Sequence, residues 1–471
     1  MTDKPVRTRF APSPTGFLHV GGVRTALFAW LVAKQADGQF ILRIEDTDRS
    51  RHVQAAEQHI IDSLDKLGLK PDEGPFRQSD RLEVYKNWGQ KLIDGGRAYA
   101  DTTTEDQLNQ LRETARVDKK PFLYRDHRPA ETSKWEVGMP LRFKSEPRAY
   151  EWHDEVMGNL HAGPEVIDDF ILIKSDGFPT YNFAHIVDDA EMNISHIIRG
   201  QEFLASIPNY LNLYEALGLE RPVMATMPHI LGPDGKKKLS KRDGAKDVLE
   251  YIKDGYLPEA LISFIATLGW NDGTEQEIFD ANELIKKFDL SRVQHSGARF
   301  DEQRLSWVNG HFIREMPLDN LCQLSESFWP DRAKPASDEY KKSVLGLVQE
   351  RLKHLSELPG LTSFFFEEPK ADMSLIEGNK QLQKFDQQQM REMLVKSREN
   401  LSESDFSQAD LSVRLNQLLE VTGQKPGVIF SLIRIATTWA PASPELAGSL
   451  SVLGKDRVLS RLDKAIGLLE A

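Results

Sequence analysis

The sequence predicts an α/β fold, a parallel sheet interrupted by an inserted block and followed by a long helical region. Three observations carry this prediction. Residues 6–44 read as strand, turn, helix and strand, a second α/β stretch begins near Ile167, and helical periodicity dominates beyond Tyr256. The length of 471 residues, at roughly 150 per domain, implies about three domains and more than one hydrophobic core.

Val6 to Ala11 reads as the first strand. Pro12, Ser13, Pro14, Thr15 and Gly16 then form a turn, because the two prolines supply no backbone N–H and can continue neither a helix nor a central strand. Val23, Ala26, Leu27, Trp30 and Leu31 recur at helical spacing, and Gly38 after Asp37 is the expected C-terminal stop. Phe40 to Ile44 is a nearly continuous apolar run, as a parallel strand covered on both faces requires. Strand, helix and strand in so short a span make a right-handed βαβ unit. Ligands of such folds sit beyond the carboxyl ends of the strands, beside helix N-termini whose free amides favour phosphate. His19, Gly21 and Gly22 stand there after the first strand, and Glu45, Asp46, Thr47 and Asp48 after the second. The glycines let a bulky ligand approach the backbone. His19 either donates to a phosphate oxygen or caps the turn, and Asp46 and Asp48 either bind a cation or cap a helix.

Phe170 to Lys174 reads as a strand, Asp176 and Gly177 as a turn, Thr180 to Ala184 as a helix start, and Ile194 to Ile198 as a strand that ends in Arg199. Val223 to Met227 is a further short strand, followed by KKKLSKRDGAK at Lys236 to Lys246, with six basic side chains and one acidic. Such a run is either an anion-binding loop or a solvated surface loop. On this reading Arg9, Glu45, Arg199 and the lysine run can face one crevice. Between Ala98 and Asp168 lies a more polar, irregular block, read as an insertion.

Apolar residues make up 40% and charged residues 28%, which excludes a disordered or fibrous chain. The longest nearly apolar run, Ala260 to Trp270, falls well short of the roughly 18 residues that span a bilayer, and the opening MTDKPVRTRF has no apolar signal core. The expected location is the cytoplasm. With 60 basic and 72 acidic residues the net charge is -12, which argues against a protein that coats nucleic acid indiscriminately. The single cysteine, Cys322, can form no intramolecular disulfide and reads as a small buried hydrophobe.

PSPTGFLHVGG at Pro12 to Gly22 resembles the HIGH signature of class I aminoacyl-tRNA synthetases, and KLSKR at Lys238 to Arg242 resembles their KMSKS loop. LRIEDTDR at Leu42 to Arg49, PTYNFA at Pro179 to Ala184 and HIIRGQEF at His196 to Phe203 narrow the resemblance to glutamyl-tRNA synthetases. DGYLPEALISFIATLGW at Asp254 to Trp270, RLSWVNGHFI at Arg304 to Ile313 and SPELAGSLSVLGK at Ser443 to Lys455 extend it to the C-terminus.

The resemblance implies a Rossmann-type catalytic domain in two halves, 1–97 and 169–243, split by an inserted acceptor-binding domain, 98–168. A stem-contact domain, 244–317, and an α-helical anticodon-binding region of two modules, 318–471, would follow. It implies that L-glutamate is activated with ATP to glutamyl-adenylate, magnesium entering with ATP, and is transferred to the 3′ end of tRNA(Glu), with activation dependent on tRNA. By resemblance His19, Gly21, Gly22, Lys238, Ser240 and Lys241 bind ATP, with His19 and Lys241 catalytic. Arg9, Ala11, Ser13, Glu45, Tyr181 and Arg199 bind glutamate, Glu45 receiving its ammonium group, and His185 is a further pocket position that varies in the family. No resident metal is expected. Asp101 and Thr103 stand where two cysteines of zinc-bearing relatives would fall, so the inserted block should hold itself together by packing without structural zinc. Arg434 is a candidate to meet unstacked anticodon bases, Phe364, Phe365 and Phe366 are expected in helix core, and the expected state is a monomer with no membrane partner.

Four rivals are weaker. Small adenylyl or cytidylyl transferases share the histidine and glycine helix start but need neither KLSKR nor the long chain after it. The glutamyl-queuosine enzyme lacks anticodon modules, and glutaminyl-tRNA synthetase usually has a β-rich anticodon region. A non-catalytic RNA-binding relative should show damage at His19 or Lys241, and both motifs are intact.

Overall fold

Strands β1 (Arg7–Phe10) and β2 (Gln39–Ile44) pair in parallel, with helix α1 (Val20–Gln35) as the crossover. The computed structural model describes residues 5–129, 134–136, 138–239, 246–440 and 443–469. The apolar run of β2 is buried from Phe40 to Ile44, and Val23, Ala26, Leu27 and Leu31 of α1 are fully buried. Thr8 Oγ1 donates to Ala29 O at 2.7 Å and ties the first strand to its helix. The helix stop differs in detail from expectation. Asp37, not Gly38, adopts the left-handed conformation (φ 48°). Gly38 is needed for close approach, because a Cβ there would lie 2.1 Å from Val6 O.

Helix α2 (Ala56–Lys66) leads to β3 (Glu73–Arg77), which pairs in parallel with β2, and α3 (Leu82–Asp94) leads into the inserted block. The block contains β4 (Ala98–Ala100), α4 (Glu105–Val117), β5 (Leu141–Phe143) and the hairpin of β6 (Tyr150–Asp154) with β7 (Gly158–Ala162). Strand β8 (Ile171–Ile173) pairs antiparallel with β5, which pairs antiparallel with β4. The strand expected at Phe170 to Lys174 thus belongs to the block's own sheet. Leu141 pairs with Ile173, and Phe143 N donates to Phe170 O at 2.9 Å.

Helix α5 (Tyr181–Glu191), strand β9 (His196–Gly200), helix α6 (Ile207–Ala216) and strand β10 (Val223–Met227) restore the parallel pattern, β9 pairing with β10. Ser195 N donates to Arg7 O at 2.9 Å, which sets β9 beside β1. The strand order is therefore β3-β2-β1-β9-β10. The chain crosses from one half to the other between β1 and β9, the position where a crevice opens in such sheets.

A polar network organises the inserted block where packing alone was expected. Asp101 accepts from Arg142 Nε at 2.8 Å and Nη2 at 2.6 Å, from Tyr124 OH at 2.6 Å and from Thr103 N at 3.0 Å. Thr103 Oγ1 also bonds Tyr124 OH, and the Arg142 guanidinium lies 3.4 Å over the Tyr124 ring. Asp169 gathers Arg128, Ser145 and Tyr99.

The chain divides into two compact units, Met1–Ile252 with Pro258–Arg304, and Lys253–Leu257 with Leu305–Ala471. Among its described residues the second unit is helical, and its core includes Phe364, Phe365, Leu394, Ile433 and Leu462. Of the three phenylalanines expected in the core of the helix Leu358–Phe366, Phe364 and Phe365 are there, whereas Phe366 is partly buried and packs edge-on against Trp329 and Tyr340 at its border. Cys322 on the helix Leu318–Ser325 is only partly buried, less than its composition-based reading implies, and burial raises its thiol pKa.

Candidate active site

The carboxyl ends of β1, β2 and β9 open onto one cleft of about 550 Å³. Arg9, Ala11, Ser13, Glu45, Tyr181 and Arg199 all line it. So do His19, Gly21, Gly22 and Lys238. Ser240 and Lys241 lie outside the described residues.

His19 caps α1: its Nδ1 accepts from Gly21 N at 3.1 Å. That bond places the proton of the neutral ring on Nε2, so the cap and a donor role coexist in one side chain. The two glycines serve the chain's own packing as well as the cleft. A Cβ on Gly22 would lie 2.5 Å from Leu18 Cδ1, and one on Gly21 3.1 Å from His19 Cε1. Lys238 Nζ lies 3.8 Å from Glu202 Oε1 on the cleft wall.

Arg9 is buried and largely occupied. Its Nε and Nη2 donate to Asp189 at 3.0 and 3.4 Å, and its Nη1 to Ile198 O at 3.3 Å. Arg199 is buried too, but its Nη1 has no hydrogen-bond partner among the described residues. Its guanidinium lies over Tyr210 at 5.1 Å. Tyr181 stacks on Phe203 at 4.9 Å and on His185 at 4.8 Å, and burial raises its phenol pKa so that it remains a neutral donor. His185 sits behind Tyr181 rather than on the cleft surface, with Nδ1 2.8 Å from Tyr181 O. Burial, reinforced by Arg199, pushes its pKa down to about 3 and keeps it neutral.

Glu45 follows β2 and is held by Arg43, whose Nη2 and Nε donate to Oε1 at 3.0 and 3.3 Å. Burial pushes its pKa up to about 7, against the pull of Arg43 and Arg9. The neighbouring acids are structural. Asp46 accepts from Ser79 N and Oγ at 2.8 and 2.5 Å, and Asp48 caps a short turn through Ser50 N at 3.2 Å.

Sequence reasoning missed Arg24, Glu202 and Phe203 on the cleft wall and Arg43, Asp188 and Asp189 beneath it. Arg43 carried a signal: a charged residue inside an otherwise apolar, buried strand must have a partner. In the second unit, Arg434 on the helix Pro426–Thr438 is half-buried. Its Nη2 donates to Pro444 O at 3.4 Å, its Nε is buried without a partner among the described residues, and burial, then Arg351, lowers its pKa.

The family described as tRNA synthetases class I (E and Q), catalytic domain, matches residues 5–307, and the anticodon binding domain family matches residues 320–466. The chain is 37% identical over 478 residues to glutamate–tRNA ligase 1 of Caldanaerobacter subterraneus subsp. tengcongensis, covering 99% of this chain and 98% of that protein. It is 38% identical over 473 residues to the glutamate–tRNA ligase of Francisella tularensis subsp. novicida, covering 98% of this chain and 99% of that one. The crystal structure of a glutamate tRNA ligase from Elizabethkingia meningosepticum, in complex with its amino acid, is similar with a TM-score of 0.87 and 32% identity, over 99% of this chain and 100% of that chain. A class I cleft with these motifs at its strand ends, continued by an anticodon-binding domain and matched along its whole length by such enzymes, places the chain in the glutamate–tRNA ligase family.

Proposed function

We propose that the cleft activates L-glutamate with ATP to glutamyl-adenylate and passes the glutamyl group to the 3′ end of tRNA(Glu). A glutamate α-carboxylate oxygen attacks the α-phosphorus, pyrophosphate leaves, and a terminal ribose hydroxyl then displaces AMP from the acyl carbon. No enzyme nucleophile is involved. Arg199 carries this reading, because a buried guanidinium N–H without a partner is costly unless a ligand acceptor completes it. With Arg9 and Glu45 it offers two cations and one anion to a substrate with two carboxylates and one ammonium. Tyr181 adds a neutral donor to the same wall, with Ala11 and Ser13 shaping it. His19 Nε2–H and Lys241, with Gly21, Gly22, Lys238 and Ser240 around the nucleotide, meet the charge that develops on the phosphate. Magnesium enters with the ATP phosphates as part of that substrate.

The inserted segment 98–168 is assigned to the tRNA acceptor end, 244–317 to the stem and 318–471 to the anticodon, with 1–97 and 169–243 as the catalytic halves. The enzyme acts as a cytoplasmic monomer. Among the described residues no helix is long and apolar enough to cross a membrane. Activation requires bound tRNA, so pyrophosphate exchange by the purified enzyme is expected to be nearly silent until tRNA(Glu) is added. A strong tRNA-free exchange rate would remove that requirement.

Ionised Glu45 is needed for the substrate's ammonium, and its folded-state pKa of about 7 lies above the ordinary 4.5. The carboxylate is therefore present above pH 7 and lost as the pH falls through it. Glutamate's own groups do not titrate between pH 6 and 8. Protonation of one site near pH 7 then makes KM for glutamate about tenfold higher at pH 6 than at pH 8. Steady-state charging across that range checks it, and a flat KM would exclude Glu45 as the ammonium receptor.

The Asp101 and Thr103 positions are engaged by Arg142 and Tyr124. The purified protein is expected to carry zinc far below one atom per chain, and a zinc chelator to leave charging intact. One tightly held zinc by elemental analysis would overturn this.

A further inference from the structure

Beneath the cleft, Arg9, Arg43, Glu45, Asp188 and Asp189 form a buried cluster, each no more than 4% exposed. Asp189 Oδ1 accepts from Arg9 Nε at 3.0 Å and from Arg43 Nη1 at 2.8 Å. Arg43 turns its other two nitrogens to Glu45 Oε1. The cleft-lining pair Arg9 and Glu45 is thus joined through two residues, Arg43 and Asp189, that do not line the cleft. We propose that Arg43 and Asp189 are positioning residues for the amino-acid substrate, Arg43 aiming the carboxylate that receives the ammonium and Asp189 clamping Arg43 to the arginine that receives a substrate carboxylate. This rests on the reading of the cleft as the glutamate site.

Stability alone does not account for the arrangement. Buried ion pairs are often no more stabilising than apolar side chains of the same volume, and the neighbours of Arg43 in β2, Phe40, Ile41, Leu42 and Ile44, are apolar. The chain Glu45–Arg43–Asp189–Arg9 instead sets the spacing of two opposite charges, which a zwitterionic ligand reads. Asp188 belongs to the outer side of the cluster, accepting from Gln78 Nε2 at 2.9 Å, Arg81 Nε at 2.8 Å and Tyr85 OH at 2.8 Å, with Arg43 Nε 3.8 Å away.

The groups that face Glu45 and this cluster are Arg9 from β1, Arg43 from β2, Tyr181, His185, Asp188 and Asp189 from α5, Arg199 from β9, and Tyr210 and Tyr214 from α6. Arg81 and Tyr85 face it from residues 78–85. Burial keeps His185 neutral and the four tyrosines protonated. Asp189 stays ionised, because Arg9 and Arg43 outweigh the cost of its burial. Glu45, pushed up to about 7 by burial, changes charge near neutral pH.

The two positioning residues act on Glu45 with opposite sign, and that decides the test. The negative charge of Asp189 favours the protonated form of Glu45, whereas the hydrogen bonds and charge of Arg43 favour the ionised form. The full-length enzyme with tRNA(Glu) is assayed for kcat and KM of glutamate from pH 5.5 to 8.5. Asp189→Asn should raise KM about tenfold at pH 8, because Arg9 loses a charge-assisted clamp, and should move the break in KM about one unit lower. Arg43→Lys keeps the charge but loses the two-point grip, and should move the break about one unit higher. In both variants kcat at saturating glutamate should change much less than KM.

Tyr85→Phe is the control: it removes a bond to Asp188 only, so it should lower Tm and leave KM and its break in place. A cluster that merely supports the fold would make all three variants behave this way, and that result overturns the proposal. If Asp189→Asn does not fold, the direction of the shift in Arg43→Lys decides alone. Arg199→Leu separates the two levels. If it too leaves glutamate kinetics unchanged, the site reading falls; if it acts and the cluster variants do not, only the positioning role falls.

Discussion

Replacing Arg199 with leucine is expected to lower kcat/KM for glutamate by about a thousandfold, the scale of losing one partner of a desolvated charge pair. Arg9 already directs its Nε and Nη2 to Asp189 and its Nη1 to Ile198 O. Arg199 holds a buried donor that has no partner among the described residues, so on the proposed reading it is expected to contribute most to recognising the side-chain carboxylate. Glutamine has nearly the same shape but offers NH2 donors to an arginine that only donates, and it leaves the cation uncompensated. A site built round a substrate's polar group can discriminate by about ten-thousandfold. The leucine variant should lose most of that ratio, because glutamate falls steeply while glutamine, already poorly bound, changes little. Folding should survive, since leucine removes a buried cation instead of stranding one. Charging assays with both amino acids and a thermal melt test this together. Wild-type kcat/KM for both would put the side-chain pocket elsewhere, even with the family assignment intact.

Lys241→Ala should slow adenylate formation by about a hundredfold to a thousandfold, the usual effect of deleting one charged donor to a transition state. Lys241 itself lies outside the described residues, but both ends of its segment are tied to the cleft. Leu239 N donates to Ile230 O at 2.8 Å, and Lys238 lines the cleft. On the far side Asp247 pairs in a β-bridge with His19 and lies 3.0 Å from His59 Nε2. These anchors bring the two described ends of the KLSKR segment to the wall on which His19 stands, which is what the proposed role of Lys241 requires. Single-turnover activation with bound tRNA measures the step, and tRNA affinity should stay unchanged because the segments proposed to meet the acceptor end, stem and anticodon are untouched. Full activation by the alanine variant would make the KLSKR segment an ordinary solvated loop.

Local pattern alone determined the βαβ start, the turn at Pro12 to Gly16 and the helical second unit, because periodicity and turn chemistry act over a few residues. It also placed Arg9, His19, Glu45 and Arg199 at strand ends, where α/β sheets bind ligands. Their family roles came from motif resemblance. Other features depended on which distant segments meet. Asp189 reaches Arg9 across 180 positions of sequence and Arg43 across 146, a meeting set by strand order and by α5 packing beneath the sheet. The antiparallel pairing of β8 with β5, and the bonds of Arg142 to Asp101 in the inserted block, likewise have no local signature. Gly38 was legible locally as a helix stop, but its necessity comes from Val6 O, just before β1, rather than from its own φ. Arg43 marks the boundary between the two kinds of knowledge. Its charge inside an apolar strand announces that a partner must exist, because an unpaired buried charge is too costly to keep. Only the tertiary structure names the partners as Glu45 and Asp189, because burial demands compensation without specifying where in the chain it comes from.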